Sequence, residues 1–231
     1  MQFETQAVTQ TSALAVEQNK VLRNTYMMLG LTMIPTVIGA FVGTSINFSF
    51  MAQHPIMFPL LMVGVMLGML FAVTALRNSV WGVVALLGFT FVAGVFLGPI
   101  LQVALHFRNG AQLVGMAAGG TGIIFLSLAT LATVTKKDYS FMGKFLFIGL
   151  IMLIVASFAN MFFQIPALAL TISAIAVMIF SAYILFDVSR IMHGGETNYV
   201  MATLSLYLDI YNLFINLLLL LMAFSGERDC W

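Results

Sequence analysis

Seven long apolar runs constrain the fold of this chain more than any other feature of its sequence. Each has about 20 residues or more, the length that a helix needs to cross the hydrocarbon core of a bilayer. The chain is 61% hydrophobic and 7% charged, whereas soluble domains carry about 25% charged residues. The sequence therefore predicts an all-α, polytopic membrane protein with seven transmembrane helices. The runs cover residues 25–47, 56–76, 80–105, 111–134, 141–163, 167–186 and 203–224.

Polar segments flank the apolar region at both ends. We expect a polar N-terminal tail at residues 1–24, a transmembrane domain at residues 25–224 and a short C-terminal tail at residues 225–231. With seven spans, seven of the nine basic residues fall on the side of the N-terminus, so the positive-inside rule predicts a cytoplasmic N-terminus. These seven are Lys20, Arg23, Arg77, Lys136, Lys137, Lys144 and Arg190. A six-span alternative has a re-entrant last helix, but residues 203–224 are long enough to cross.

The last apolar run carries the most informative polar residues. Asp209 is the one charge in residues 203–224, and it belongs to a stripe at helical spacing. Lipid cannot satisfy these groups, so the stripe is expected to face other helices or water. The last helix is accordingly predicted to lie at the centre of the bundle. The stripe consists of Ser205, Asp209, Asn212 and Asn216.

A second acidic residue, Asp187, ends the sixth run. The sixth and seventh helices run antiparallel through a turn near Gly194, so Asp187 and Asp209 could approach each other in the cytoplasmic half. Two carboxylates in such a site would share one proton and form a pH switch, or a cation site when both are ionised. Alternatively, Asp187 pairs with Arg190 one turn on, and Asp209 is held by a structural partner such as Arg77.

The sequence favours neither a metal site nor an enzyme. His193 and Glu196 could bind a metal, but glycines and a cap residue in the same loop favour a capped turn between two helices. The histidines lie in loops or at membrane edges, so no serine has an obvious base. The Gly-x-Gly-Asp signature of intramembrane aspartyl proteases is absent, which leaves hydrolysis a minor alternative. No basic cluster suggests a nucleic-acid partner.

Small residues and prolines in the runs suggest how the helices pack. Small-xxx-small pairs allow close backbone approach between helices. Pro35 and Pro99 lie within apolar runs and are expected to kink them. The pairs are Gly39/Gly43, Gly64/Gly68, Gly94/Gly98 and Gly115/Gly119.

Several motifs together resemble the Bax inhibitor-1 family of multi-spanning membrane proteins, and most closely its bacterial YccA-like branch. The two strongest are residues 193–199 (HGGETNY) and residues 202–214 (ATLSLYLDIYNLF). The resemblance covers nearly the whole chain beyond residue 19. Further matching stretches are KVLRNTY at 20–26, GPIL at 98–101, GGT at 119–121, KDYSF at 137–141, and AN at 159–160 through QIPAL at 164–168.

The resemblance implies a seven-helix fold whose last helix is wrapped by the other six. It also implies two activities, neither of them enzymatic. Members of the YccA-like branch associate with the membrane protease FtsH and restrain it, so the expected partners are an FtsH-type protease complex and the lipid bilayer of the bacterial inner membrane. Other members behave as pH-sensitive calcium leaks through an aspartate pair, matched here by Asp187 and Asp209, with an arginine latch for which Arg77 is the candidate. No cofactor is implied, and Ca²⁺ would be a permeant ion.

A transporter is a third, weaker alternative, because matching halves with broken helices are not evident in the sequence.

Overall fold

The structure, a computed structural model, describes residues 2–48, 53–54 and 56–226, with side chains from residue 18 onward. This part of the chain is helical and contains no strand. A short 3₁₀ turn at Ser140–Met142 precedes α6. The helices are α1 (Gln2–Ser45), α2 (Met57–Leu76), α3 (Val80–Phe96), α4 (Gly98–His106), α5 (Gly110–Thr135), α6 (Gly143–Phe163), α7 (Pro166–Met192) and α8 (Tyr199–Gly226).

In the described part of the chain, seven helical segments are long and apolar enough to cross a membrane, which confirms the predicted polytopic all-α class. The third span, Val80–His106, combines α3 and α4. The last span, α8, is one unbroken helix, so the structure does not form the re-entrant alternative. Helix α1 continues without a break to Gln2, so the predicted polar tail extends the first span. Residues 227–231 of the predicted C-terminal tail lie outside the described residues.

Helix α8 lies at the centre of the bundle, as predicted. It packs mainly against α7, α5 and α1, and it also contacts α3 and α4. Helix α2 packs on α3 and α6 packs on α7, so these two form an outer layer rather than part of the main wrapping around α8. Tyr207 and Leu206 of α8 are almost completely buried. The polar residues of α8 are thereby carried into the protein interior.

The backbone of α1 is in close contact with those of α3 and α4 through two of the predicted glycine pairs. A Cβ atom on Gly39 would collide with the carbonyl oxygen of Phe91, and one on Gly94 would collide with that of Thr36. Gly43 and Gly98 face each other in the same way. The pairs Gly64/Gly68 and Gly115/Gly119 instead have nothing within 4 Å of such an added atom, so within this chain they do not form packing contacts.

The two prolines behave differently. Pro99 stands in the first turn of α4, after the helix break at Leu97, where its missing N–H costs little. Pro35 lies inside the uninterrupted helix α1. A helix break is therefore found just before Pro99, whereas α1 continues through Pro35 and the kink expected there stays a prediction.

We call the side of the membrane on which the first span begins the N-side. The α2–α3, α5–α6 and α7–α8 connections all lie there, because seven spans alternate in direction. The cytoplasmic location of this side remains a prediction.

Candidate functional site

The structure brings Asp187 and Asp209 together. Asp187 lies near the C-terminal end of α7, and Asp209 lies in the first half of α8. Both are buried, with 7% and 5% of their surface exposed. Their carboxyl groups lie close enough to form a hydrogen bond when one of them is protonated. The antiparallel packing of α7 on α8 positions the two acids against each other in the N-side half of the membrane.

A hydrogen bond between two carboxyl groups requires a proton. An ionised carboxylate has only acceptor oxygens, so one member of the pair must be protonated to donate. The other oxygen of Asp209, Oδ2, is buried and has no hydrogen-bond partner among the described residues. With one acid protonated, the pair would share that proton, and Asp209 Oδ2 would stay an acceptor without a partner among the described residues.

Arg190 is the cation beside this pair. Its Nη1 atom lies 3.9 Å from Asp187 Oδ1, one turn away on α7, and its Nη2 atom donates to Glu196 Oε2 at 2.9 Å. The pairing of Asp187 with Arg190 is the alternative that the sequence left open. At 3.9 Å the ion pair between Arg190 and Asp187 is long, and the shorter bond of Arg190 is made to Glu196 in the α7–α8 loop.

Arg77 is not brought to the pair. Its side chain is exposed at the C-terminal end of α2, and neither aspartate forms an ion pair with it. The reason is topological: α2 packs on α3, in the outer layer. The backbone carbonyl of Arg77 instead accepts a hydrogen bond at 3.0 Å from Asn198, in the α7–α8 loop.

The amide side chains of the predicted stripe bond to their own helix. Asn212 Nδ2 donates to the carbonyl of Leu208, and Asn216 Nδ2 donates to that of Asn212, both at 2.8 Å. Both amides are half-buried, as is Ser205. Neighbouring helices are thus not needed for these bonds. Asp209 is the member of the stripe that has a buried polar atom without a partner among the described residues.

The α7–α8 loop forms the capped turn that the sequence favours. Gly194 has a φ of +75°, a conformation that glycine adopts without strain. Asn198 Oδ1 accepts from the backbone N–H of Val200 at 2.9 Å and of Met201 at 3.2 Å, which caps α8. The described residues contain no cluster of three His, Cys, Asp or Glu side chains that could hold a metal ion. Glu196 is occupied by Arg190 and by the N–H of Asn198.

Sequence reasoning missed a hydroxyl network between α1, α3 and α8. The hydroxyls of Tyr207 and Thr36 are 2.9 Å apart, and Tyr211 donates to the carbonyl of Ala93 at 3.0 Å. The rings of Tyr207 and Tyr211 stack at 5.9 Å. The signal was present, because Tyr207/Tyr211 and Thr32/Thr36 each have the i, i+4 spacing of one helix face.

A groove of about 820 Å³ lies between α1 and α5, with α8 as its floor. We call it the α1/α5 groove. Both walls contact α8. It is lined by residues that include Tyr26, Met33, Thr121, Phe125, Tyr211 and Phe214. The aspartates do not line it.

Comparison with known proteins identifies the family. A family model described as "Inhibitor of apoptosis-promoting Bax1" matches residues 18–226, nearly the whole described fold. The chain belongs to the Bax inhibitor-1 family. Within this family, it is 41% identical to the Escherichia coli protein named "Modulator of FtsH protease YccA", with 88% of this chain and 90% of that protein covered. It is also 42% identical to an uncharacterised membrane protein of Vibrio cholerae, with 95% and 97% covered.

Proposed function

We propose that this Bax inhibitor-1 family protein is a non-enzymatic protein of the bacterial inner membrane that binds and restrains an FtsH-type membrane protease. The observation that carries the proposal is the similarity, over nearly the full length of both chains, to a relative named as a modulator of that protease. The name "Inner membrane protein YccA", given to a second E. coli relative that is 41% identical, supports the location.

The surroundings of Ser189 support a non-enzymatic role. Ser189 Oγ lies 3.4 Å from His193 Nδ1, the nearest approach to a serine–histidine pair in this region. However, Ser189 is completely buried; its hydroxyl donates to the carbonyl of Lys137 and accepts from the N–H of Tyr139. A nucleophile needs a free hydroxyl within reach of a substrate. Through these two hydrogen bonds, Ser189 instead holds the α5–α6 connection against α7.

The N-terminal part of α1 is the proposed contact for the protease. Helix α1 continues to Gln2 beyond the span that begins at Gln18, and α1 packs on α3 and α8 inside the bundle. A protease that binds this segment would therefore hold an element that is continuous with the core of the fold.

Deletion of residues 2–19 tests this contact. The full chain and the deletion variant are co-expressed with a tagged FtsH-type protease and compared by co-purification and by the turnover rate of a membrane substrate. A variant lacking residues 227–231 is the control for loss of a terminus. We expect weaker co-purification and faster substrate turnover for the N-terminal deletion alone. Unchanged co-purification would remove the N-terminal segment from the proposal, and no association of the full chain would overturn the function itself.

A second candidate function, a pH-sensitive calcium leak, is favoured by the aspartate pair. Burying two carboxyl groups inside a membrane costs free energy, so acidic residues at such positions point to a functional site. Carboxylate oxygens are also ligands that Ca²⁺ prefers. Asp209 Oδ2 supplies an acceptor with no partner in the described part of the chain. In this proposal, protonation and deprotonation of the pair change the packing of α7 against α8. The latch role of Arg77 remains a prediction, and the position of Arg190 makes it a competing candidate.

Calcium flux into proteoliposomes between pH 5 and pH 8 tests the leak. Wild type is compared with Asp209→Asn, and Arg77→Gln with Arg190→Gln. A pH-dependent flux that Asp209→Asn alters would support the leak, and the arginine variant that changes its pH profile would identify the latch. Absence of flux in well-reconstituted wild type would rule the leak out and leave protease modulation.

A further inference from the structure

The lining of the α1/α5 groove presents almost only carbon atoms to an occupant. The hydroxyl oxygens of Tyr26 and Thr121 are buried, so an occupant of the groove does not reach them. The hydroxyls of Thr36, Thr133 and Tyr211 already form hydrogen bonds within the protein. An occupant therefore needs no polar group along the groove, and a hydrocarbon chain meets that condition.

The groove is long enough to hold acyl chains. Its lining residues on α1 run from Tyr26 to Thr44, which is about 27 Å along the helix axis. A hydrocarbon core is about 30 Å thick, so the chains of one leaflet occupy about 15 Å of it. The rims are open to the bilayer, since Val37 on α1 is 53% exposed and Leu126 on α5 is 64% exposed. A lipid chain can thus enter the groove from the side.

Basic residues continue both walls at the N-side end of the groove. Arg23 lies one turn before Tyr26, the first lining residue of α1, on the same helix face. Lys136 and Lys137 follow three and four residues after Thr133, the last lining residue of α5. All three basic residues are exposed. The N-side mouth of the groove, as we call this end, is therefore flanked by cations from both walls.

Nearby acidic residues do not cancel this positive charge. Among the residues with described side chains, none of the three flanking cations forms an ion pair. The carboxylate of Asp138 accepts a hydrogen bond from a backbone N–H two residues on, and Glu196 is paired with Arg190 at 2.9 Å. Along α1, Glu17 is followed one turn later by Lys20, so this part of the helix carries no excess of acid.

We propose that the α1/α5 groove binds an anionic phospholipid, with an acyl chain along the N-side half of the groove and the phosphate between the cations of the N-side mouth. Basic pockets between transmembrane helices bind anionic lipid head groups in this way. A hydrocarbon chain attached to a phosphate accounts for both the apolar groove and its basic mouth, whereas an apolar helix accounts only for the groove. This binding site does not depend on association with a protease.

A photoreactive phosphatidylglycerol with a diazirine in its acyl chain tests where the chain lies. The purified protein is reconstituted with this probe, and crosslinked peptides are mapped with an excess of unlabelled phosphatidylglycerol or phosphatidylcholine. We expect crosslinks near Met33 and Leu126 in the groove that phosphatidylglycerol suppresses more strongly than phosphatidylcholine does. At the exposed control positions Leu61 on α2 and Phe147 on α6, the two lipids should compete equally.

Substitutions at the N-side mouth test the selection of the head group. Arg23→Gln and Lys136→Gln each remove one charge at an exposed position, so both variants are expected to fold. The matched control is Lys144→Gln, an exposed cation at the N-side end of α6. Native mass spectrometry measures how much phosphatidylglycerol is retained relative to phosphatidylcholine. We expect this ratio to fall about fivefold for each mouth variant and to stay at the wild-type value for Lys144→Gln.

A substitution in the wall tests the apolar part of the site. Gly122→Leu fills the groove, and its matched control is Gly64→Leu on the open face of α2; an added Cβ at either glycine meets nothing within 4 Å. We expect Gly122→Leu to lose the crosslinks in the groove and Gly64→Leu to retain them.

Three results would overturn the proposal. Equal competition by the two lipids in the groove would show that the head group is not selected. Unchanged retention of phosphatidylglycerol in both mouth variants, at wild-type melting temperature, would exclude the cations as its ligands. Crosslinks in native membranes from a photoreactive residue at Leu126 to another protein, and none to lipid, would identify a protein as the occupant.

Discussion

Asp187 and Asp209 lie within hydrogen-bonding reach of each other although they belong to different membrane-spanning helices. Arg190, one turn after Asp187, lies 3.9 Å from that carboxylate and donates to Glu196 in the α7–α8 loop. The buried acids and the loop are therefore connected through a single side chain. A change in the charge of the aspartate pair would therefore alter how Arg190 interacts with the loop at the N-side surface.

The aspartate contact predicts different effects for two substitutions of Asp209. Asp209→Asn retains a side chain of similar shape whose amide donates to Asp187, so we expect nearly wild-type stability. Asp209→Ala leaves Asp187 buried without this partner, which should cost about 1–3 kcal/mol of unfolding free energy. Thermal unfolding in detergent, followed by circular dichroism, measures the difference. Equal stability of the two variants would contradict the hydrogen bond.

The hydroxyl of Tyr207 is expected to contribute to stability, whereas that of Tyr26 is not. Tyr207→Phe removes the bond to Thr36, which should cost about 0.6–1 kcal/mol in a membrane protein. Tyr26→Phe removes a hydroxyl that has no partner in the described chain, so the purified protein should be unchanged or slightly more stable. Comparing their melting temperatures checks both. A loss at Tyr26 as large as that at Tyr207 would show that Tyr26 already has a partner within the chain.

The crossing of α1 and α3 should not tolerate a single methyl group. Gly39→Ala and Gly94→Ala place a Cβ against the backbone carbonyls of Phe91 and Thr36, and backbone yields less readily than a side chain. We expect a loss of about 3 kcal/mol or more. Gly64→Ala, on an open helix face, should change stability by less than about 0.5 kcal/mol. The yield of folded protein and its melting temperature test this contrast, which would fail if all three variants behaved alike.

Asn198 should stabilise the first turn of α8. Asn198→Ala removes the acceptor for two backbone N–H groups and the donor to the Arg77 carbonyl, at an expected cost of about 1–2 kcal/mol. The neighbouring Thr197→Ala, at an exposed position, is the control. Hydrogen exchange at residues 200–203 should accelerate for Asn198→Ala alone, and unaltered exchange would argue against the cap.

Asp138 should not respond to pH between 5 and 8. Hydrogen bonds from Ser140 hold the pKa of its carboxyl below the usual value. A carboxyl with a lowered pKa stabilises the folded state at higher pH, and that contribution is lost as the pH falls through the lowered pKa. The Ser140 amide resonance should therefore be constant from pH 8 to pH 5. A shift in that window, absent in Asp138→Asn, would contradict this and would make Asp138 a source of any pH-dependent flux.

The features that the sequence predicted well are those set by neighbouring residues. An apolar run of about 20 residues must be helical in lipid, because its backbone groups can be satisfied only within the segment. The seven spans and the capped turn at Asn198 follow from such local rules. The antiparallel connection between α7 and α8 brought Asp187 towards Asp209 for the same reason.

Which faces meet was decided by tertiary structure alone. Gly39/Gly43 and Gly64/Gly68 have the same spacing, yet only the first pair lies at a helix crossing. Arg77 and Arg190 are both basic residues on the N-side, yet only Arg190 lies beside Asp187. Lipid chains and buried side chains are similarly apolar, so hydrophobicity along one helix does not tell which side faces a neighbour. The hydroxyl network of Tyr207 and the unpartnered Thr121 became visible only when the helices were placed against one another.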